Sequence, residues 1–415
     1  MFWLLTVAVL VLYDLTPRIN GFDTPYYFLA GEYLWHGQLD CLRTPVYPLL
    51  LQSFKVCFGN VGIVAIVILQ SIVYLFSVAS LRNIACSVIK SPFVWQLVSV
   101  MYVVCVAPGW CNELLTESLS ISGFVILTDW VFRYINQPSW RRSVAIAIMT
   151  ALLVFLRPTF IFLFAVLPLV WIVLWIRNNR RSIQLASFVL TLLCVLSYLG
   201  YCKAYEKEFG VFSSTMSFVC NDVYNLKDSS CWDLERVGDP LARQALMEVD
   251  EHWEGHYGAV YKLVCANPGI LKHMADGCNE MKRCAGQTFA LHQLRLTVAS
   301  FDKRFNASVD THSPLSAVLF STSLFLAPPL SLFYGLVVVS CIALVVYCIR
   351  KRTVPLYGFV LILSVAAQCL GIILYASGDH QRLLLPVYPA FLLLAGVALE
   401  KLFAFWKGMD NNLDR

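Results

Sequence analysis

The sequence has 415 residues, of which 59% are hydrophobic and 14% are charged, and its formal net charge is +5. Soluble domains carry roughly 25% charged residues, so a chain this poor in charge would expose large apolar areas to water. The composition excludes a disordered chain, a coiled coil and an ordinary cytosolic enzyme. It predicts an all-α polytopic membrane protein.

Apolar runs long enough to cross a bilayer predict about ten transmembrane helices. They lie at about 1–16, 61–81, 92–108, 114–132, 143–156, 159–176, 183–201, 330–349, 355–376 and 383–404. They leave a first loop (17–60) and a large loop (202–313). We therefore expect an N-terminal transmembrane module (1–201) that contains the first loop, a loop subdomain (202–313) and a C-terminal transmembrane module (314–415).

The short turns between alternate spans carry almost half of the chain's 31 Lys and Arg residues. These are Arg82, Lys90, Arg133, Arg141, Arg142, Arg177, Arg180, Arg181, Arg350, Lys351, Arg352, Lys401, Lys407 and Arg415. The positive-inside rule places them, and both termini, in the cytoplasm of a multi-pass inner- or plasma-membrane protein. Both loops are then external. The N-terminal run lacks a basic flank and a small-residue cleavage site, which favours a retained span over a signal peptide.

The large loop reads as a small α-rich external subdomain, with amphipathic helices near 239–265 and 285–300. It carries six cysteines: Cys202, Cys220, Cys231, Cys265, Cys278 and Cys284. Cysteines at this density in an external segment predict at least one disulfide among the six. A zinc site is the alternative, because histidines share the loop. Asn306 begins a glycosylation sequon.

The first loop holds the densest group of charged and aromatic residues. Asp23-Thr24-Pro25 is typical of a helix start, so Asp23 is either a capping residue or a functional carboxylate at the external membrane surface. Arg43-Thr44-Pro45 leads into an apolar segment (46–58) that is too short to span and should lie as a juxtamembrane helix in the interface. Asp14, at the end of the first span, is the rival carboxylate.

Several segments together resemble the GT-C superfamily of membrane glycosyltransferases. In the first loop they are Asp23-x-x-Tyr26-Tyr27, the spacing from Gly37 to Asp40, and the run from Arg43 to Leu51. Leu115 to Leu119, Leu156-Arg157-Pro158 and the run from Arg382 to Pro389 add shorter matches. The polyprenyl-phosphate-sugar-dependent branch, with the protein O-mannosyltransferases and the aminoarabinose transferase of lipid A, is the most similar. Better-known relatives have Asp-Glu where this chain has Asp23-Thr24.

The resemblance implies that Asp23 is the acidic catalytic residue, acting as base for an incoming hydroxyl or amine. A departing phosphate needs cations, and guanidinium groups are permanently charged and bidentate. Arg43, Arg157 and Arg382 are therefore the candidate phosphate-binding residues. Arg157 could instead pair with Glu113 or Glu117, and Arg382 could be engaged by Asp379 and His380 in its own turn.

Glu117 is either the neutraliser of an arginine or a second site carboxylate. Tyr26, Tyr27, Tyr47 and His380 are candidate substrate-binding residues. No residue is assigned as a metal ligand and no cofactor is assigned, although a divalent metal remains an alternative.

These observations predict an inverting glycosyltransferase that moves a sugar from a polyprenyl phosphate to a lipid, glycan or protein acceptor on the external face, in contact with membrane lipids. A membrane transporter or lipid-linked-sugar flippase is the alternative function, but it predicts charges near the bilayer midplane, which are nearly absent. A non-catalytic scaffold would leave the first-loop residues unexplained. The basic residues form turn clusters rather than an aromatic-interleaved patch, so nucleic acid is not an expected partner.

Overall fold

The computed structural model describes residues 2–12, 16–21, 23–104, 108–177, 181–253, 257–305, 327–375 and 380–413. These residues are mostly α-helical and contain no β-strand. The helices are α1 (Phe2–Leu12), α2 (Thr24–Trp35), α3 (Val46–Phe58), α4 (Gly62–Val88), α5 (Pro92–Val104), α6 (Glu117–Asn136), α7 (Trp140–Leu156), α8 (Leu163–Arg177), α9 (Arg181–Phe209), α10 (Ser217–Asp228), α11 (Pro240–Glu251), α12 (Tyr257–Ala266), α13 (Ile270–Ala285), α14 (Gln287–Ala299), α15 (Leu330–Lys351), α16 (Leu356–Tyr375), α17 (His380–Leu383) and α18 (Tyr388–Leu413).

Six helical segments of the described chain are long and apolar enough to cross a membrane, which makes this an integral membrane protein. They are Val46–Val88, Pro158–Arg177, Arg181–Phe209, Leu330–Lys351, Leu356–Leu374 and Leu385–Phe403. Each contains or overlaps one of the predicted spans.

The remaining four predicted spans do not meet the same criteria, so the expected count of about ten is not established. Helices α1, α5 and α7 have 11, 13 and 17 residues, short of the roughly 20 that a bilayer needs. Helix α6 has 20 residues but carries Glu117, Asp129 and Arg133. Helix α6 is long enough to span a bilayer, but these charged residues lower its mean hydropathy.

The first loop folds back on itself through the packing of α2 against α3. A side chain at Gly31 of α2 would place its Cβ 2.6 Å from the carbonyl oxygen of Pro48 in α3. Glycine therefore allows the two backbones to touch at this point. Gly59, with a φ of 58°, ends α3 and separates it from the long helix α4. This packing fixes α2, and with it the segment just before α2.

The buried hydrophobic side chains of the described residues form two cores. The larger one is built by the apolar helices and includes Trp171, Tyr74 and Phe333. The second is built by α10 to α13 and the end of α9, and it also takes in Cys41 and Leu42 from the first loop. The first loop thus packs against both cores. The division into three domains remains a prediction.

The large loop contains the predicted helices, as α11, α12 and α14, but not the predicted disulfide. The described cysteines are all free thiols. Cys220 and Cys278 are buried in the second core as apolar side chains, whereas Cys265 and Cys284 are exposed. No group of three His, Cys, Asp or Glu side chains within the described residues could hold a metal ion, so the zinc alternative finds no site there. Asn306 and Asp14 lie outside the described residues.

Candidate active site

Five charged side chains from separate segments form one continuous ion-pair network. Asp23 contacts Arg43 through Oδ1 at 2.5 Å and Arg382 through Oδ2 at 2.7 Å. Arg382 also donates from Nε to Oε1 of Glu117 at 2.6 Å. The same Glu117 oxygen accepts from Arg157 at 3.3 Å. The network therefore alternates in charge as Arg43, Asp23, Arg382, Glu117 and Arg157, with one positive charge in excess.

Asp23 is placed by the start of α2 but does not cap it. Its side chain makes no capping hydrogen bond, although Pro25 stands in the first turn as expected. The turn is held instead by Asn20, whose Oδ1 accepts from the Asp23 N–H, and by Thr24, whose hydroxyl donates to the Leu114 carbonyl. The capping interpretation is therefore wrong, and the carboxylate is left to face the arginines.

Arg43 is positioned by contacts to both its backbone and its side chain. At the backbone, Asp40 Oδ1 accepts from the N–H groups of Leu42 at 2.8 Å and Arg43 at 2.6 Å. At the side chain, the guanidinium carbon lies 4.2 Å from the centre of the Tyr27 ring, a cation–π contact. Nη1 also donates to the Tyr27 hydroxyl at 3.3 Å. Few other orientations are open to this guanidinium.

Glu117, Arg157 and Arg382 meet because each stands at the end of a helix. Glu117 is the first residue of α6 and is only 1% exposed. Arg157 follows α7 in an extended conformation, as expected of a residue before proline. Arg382 lies in the short helix α17. Of the two alternatives for Arg157, the structure has the pair with Glu117. Asp379 lies outside the described residues.

The two carboxylates differ in how they are engaged. Burial opposes the charge on Asp23, but Arg43 and Arg382 outweigh it and hold the pKa of this carboxyl well below its usual range. Asp23 is therefore ionised throughout the physiological range. Glu117 receives both arginines on Oε1, while its buried Oε2 has no hydrogen-bond partner among the described residues. Asp23 thus uses one oxygen for each of its two arginines. Glu117 uses a single oxygen for both of its arginines and keeps the other as a free acceptor.

All five side chains line one cavity of about 770 Å³. Its lining has two further parts. An apolar part is formed by Leu156, Ile161, Phe162, Leu199 and Ile372. A part rich in hydroxyl and amide groups is formed by Ser213, Ser214, Thr215, Ser217, Asn221 and Asn279. The cavity therefore combines charged, apolar and neutral polar side chains in its lining.

The predicted substrate-binding residues are placed differently from one another. Tyr27 lines the cavity, beneath Arg43. Tyr26 packs edge-on against Tyr261 of α12, and the buried Tyr47 donates to Gln70. His380 lies 3.2 Å from the hydroxyl of Tyr334. Tyr26, Tyr47 and His380 are not among the described lining residues, since their rings are engaged in packing around the site.

Sequence reasoning missed the contribution of the large loop to this cavity. Residues 213–221 supply much of the neutral polar lining, and Asn279 of α13 adds an exposed amide. The run Ser213-Ser214-Thr215 after Phe212 was the available signal. Hydroxyl-rich segments are common in loops, so the run alone did not distinguish a binding wall from an ordinary turn.

The charged residues do not fit a metal ion. Both carboxylates are already paired with guanidinium groups, and among the described residues no third carboxylate, histidine or cysteine joins them in a ligand group. A divalent cation would have to displace arginines that its own charge would repel. We therefore derive no step through a metal.

The fold and the site together define a helical membrane protein with a cavity lined by three arginines and two carboxylates of one ion-pair network, and a solved structure shares this fold. The apo oligosaccharyltransferase of Archaeoglobus fulgidus matches with a TM-score of 0.51 at 12% identity, over 99% of this chain and 52% of that one. The same archaeal protein, AglB, has been solved with an inhibitory peptide and a dolichol-phosphate, and with zinc and sulfate. ArnT of Cupriavidus metallidurans matches with a TM-score of 0.37 at 11% identity, over 94% and 76% of the two chains.

EmbB, an arabinosyltransferase of Mycobacterium smegmatis, matches with a TM-score of 0.37 at 13% identity, over 90% and 40% of the two chains. This chain shares the fold of the archaeal oligosaccharyltransferase. It spans about half the length of the archaeal enzyme. No protein-family profile and no curated protein matches the sequence.

Proposed function

We propose that the protein is an inverting membrane glycosyltransferase that moves a sugar from a polyprenyl phosphate to a lipid, glycan or protein acceptor. The observation that carries this proposal is the convergence of Asp23, Arg43, Arg157 and Arg382 on one cavity. A network of three arginines and two carboxylates has a positive charge left over for an anion. Such a surplus suits a donor that carries a phosphate.

The three arginines act on the departing phosphate. Negative charge grows on the phosphate oxygens as the sugar–phosphate bond breaks, and guanidinium groups already in place stabilise that charge without reorganising. Each guanidinium can offer two parallel N–H groups to a phosphate. Arg43 and Arg157 each keep donors beyond the single carboxylate that they contact.

The other two parts of the lining fit the rest of such a donor. The apolar surface near Ile161, Phe162 and Leu199 suits the isoprenoid chain, since burial of apolar area favours binding. The hydroxyl and amide groups of 213–221 suit a sugar, whose hydroxyls both donate and accept hydrogen bonds. The large loop would then influence which sugar or acceptor is accepted.

Asp23 is the proposed base for the incoming hydroxyl or amine. Its pKa in the free protein is low, because Arg43 and Arg382 hold the charged form. A donor phosphate brings negative charge to the same arginines and competes for their N–H groups. Both effects raise the pKa of Asp23 towards that of an ordinary carboxyl, so the base strengthens when the donor binds. Displacement from the face opposite the phosphate inverts the anomeric centre.

Orientation in the membrane belongs to this proposal. The basic turns predict cytoplasmic termini, and the first loop and the large loop, which together line the cavity, would then lie on the external side of an inner or plasma membrane. Transfer on that face would use a lipid-linked donor, because soluble nucleotide sugars are cytoplasmic.

The substitution Asp23→Asn tests the proposal. Asparagine keeps the shape of the side chain but cannot accept a proton, so we expect transfer to fall by about two to four decades. Binding of the polyprenyl-phosphate donor should hold or rise, because a negative charge beside the phosphate is removed. Transfer of labelled sugar in reconstituted vesicles and donor binding measured separately give the two readouts.

Asp129→Asn is the matched control, since Asp129 pairs with Arg133 within α6, away from the lining residues. It should transfer sugar like the parent protein. Parent-level turnover by Asp23→Asn would overturn the assignment of the base. Movement of the intact donor across the membrane, without any transfer by the parent protein, would favour the flippase alternative.

A further inference from the structure

The joint between the first loop and the large loop is built on two consecutive carbonyl groups. The Cys41 carbonyl accepts from the Tyr205 hydroxyl and from the Met216 N–H, both at 2.7 Å. The Leu42 carbonyl accepts from the Thr215 hydroxyl at 2.6 Å. Backbone positions 41 and 42 are therefore held firmly against the large loop.

Helix α12 contacts the same joint with two side chains. The Tyr261 hydroxyl donates to Asp40 Oδ2 at 3.0 Å, and the Cys265 sulfur lies 4.0 Å from the Cys41 sulfur. Tyr261 and Cys265 are four residues apart in α12 and so lie on one helix face. Asp40 and Cys41 are neighbours in the chain. The two contacts therefore lie side by side between α12 and the segment of the first loop that contains Asp40 and Cys41.

The two thiols differ in access and in acidity. Cys41 is 2% exposed, whereas Cys265 is exposed to solvent. A hydrogen bond from Cys41 lowers the pKa of the Cys265 thiol, with a smaller contribution from Tyr261, although burial opposes it. The accessible sulfur is thus also the one that more readily becomes a thiolate, which is the reactive form.

We propose that Cys41 and Cys265 form a disulfide bond that joins the first loop to α12. A disulfide requires the sulfurs to approach by roughly 2 Å from their present separation. Because the backbone at Cys41 and Leu42 is held by three hydrogen bonds, the sulfurs must approach through rotation of the two side chains. The proposal does not depend on the proposed enzymatic activity.

The bond would form by exchange with a low-molecular-weight or protein disulfide. The Cys265 thiolate attacks one sulfur of that disulfide, forms a mixed disulfide and releases the first donor thiolate. Cys41, after losing its proton, attacks the Cys265 sulfur and releases the second donor thiolate. Two protein thiols are oxidised and one donor disulfide is reduced to two thiols, which take up the two protons.

The consequence is a covalent link between the first loop and the helix α12, at a point where both pack in the second core. Cys41 belongs to the first loop, and Cys265 lies on the helix that packs in the second core. Arg43 stands two residues beyond Cys41 in the same segment. The link therefore limits how far the large loop can move away from the arginine.

Peptide mass spectrometry of the full-length protein tests the proposal. The purified protein is incubated with oxidised glutathione, blocked with iodoacetamide and digested with trypsin without reduction. We expect a linked pair of the peptides covering 19–43 and 263–272, which dithiothreitol separates. The midpoint of thermal unfolding should also rise by a few degrees in the linked protein.

Three variants make the result specific. The linked pair should be lost in Cys41→Ser and in Cys265→Ser, and it should persist in Cys284→Ser, which removes another exposed thiol of the large loop. The proposal is overturned if Cys41 and Cys265 are both alkylated after oxidation while Cys284 has reacted with glutathione. Pairing of Cys265 with any other cysteine would also overturn it.

Discussion

The carboxylate of Asp23 and the guanidinium of Arg382 form a 2.7 Å ion pair, although the two residues lie near opposite ends of the sequence. The same guanidinium contacts Glu117, so Arg382 bridges two carboxylates from different helices. Its two contacts leave from different nitrogens, Nη1 and Nε. The planar, forked shape of arginine is what allows both pairs to exist together.

Lysine should not replace Arg382. A lysine ammonium keeps the charge but is a single point, and it cannot reach Asp23 and Glu117 in the same geometry. Loss of one charge-assisted hydrogen bond costs about 1.5–3 kcal/mol, so we expect kcat/KM for sugar transfer to fall by roughly 10- to 150-fold in Arg382→Lys. Arg133→Lys, at a half-exposed ion pair elsewhere on α6, is the control and should transfer at the parent rate.

Glu117→Gln should destabilise the folded protein more than Asp129→Asn does. Glu117 is almost fully buried, and without its charge Arg157, whose side chain is 10% exposed, has no carboxylate partner in the network. Breaking a buried pair in this way costs about 3–5 kcal/mol. Asp129 pairs with Arg133, which is 54% exposed and can turn to solvent. Loss of this ion pair in Asp129→Asn should therefore cost about 1 kcal/mol or less. Thermal unfolding in detergent compares the two variants, and equal midpoints would contradict the role of Glu117.

Gly31→Ala tests the close contact between α2 and α3. The added methyl group would meet the Pro48 carbonyl at 2.6 Å and push the helices apart, at a cost of about 1–3 kcal/mol. Gly200→Ala is the control, because a Cβ at this position of α9 has no neighbour within 4 Å. Alanine favours helix over glycine, so the control should be neutral or more stable by up to about 1 kcal/mol. If both variants unfold at the parent temperature, the contact is not limiting.

The stability of the fold should fall as the pH drops from about 6.5 to 4 because of His380. Burial, with a smaller effect of Lys303, lowers the pKa of His380 from 6.5 to about 4. The unfolded chain binds a proton in this window and the folded chain does not, so acid favours unfolding. The loss is at most about 3 kcal/mol. His380→Gln should flatten this part of the profile of unfolding midpoint against pH, and an unchanged slope would show that other groups cause it.

The sequence alone determined the membrane helices and the chemistry available to the site. Hydropathy is a property of consecutive residues, so six spans could be read directly from runs such as 183–201 and 330–349. The resemblance of their segments to the GT-C superfamily, together with the permanent charge of arginine, was enough to propose a phosphate-directed site at Asp23, Arg43, Arg157 and Arg382. The start of α2 after Asp23 also followed from the Thr24-Pro25 pair.

Only the tertiary structure decided which of these groups meet. Whether Asp23 caps its helix or faces an arginine depends on Arg382, which packing brings from the far end of the chain. The hydroxyl-lined wall of 213–217 and the approach of Cys265 to Cys41 arise in the same way, because they join the large loop to the first loop. Local sequence fixes helix length and polarity, whereas side-chain partners depend on contacts between segments that are distant in the chain. Such contacts leave no periodic signal in the sequence.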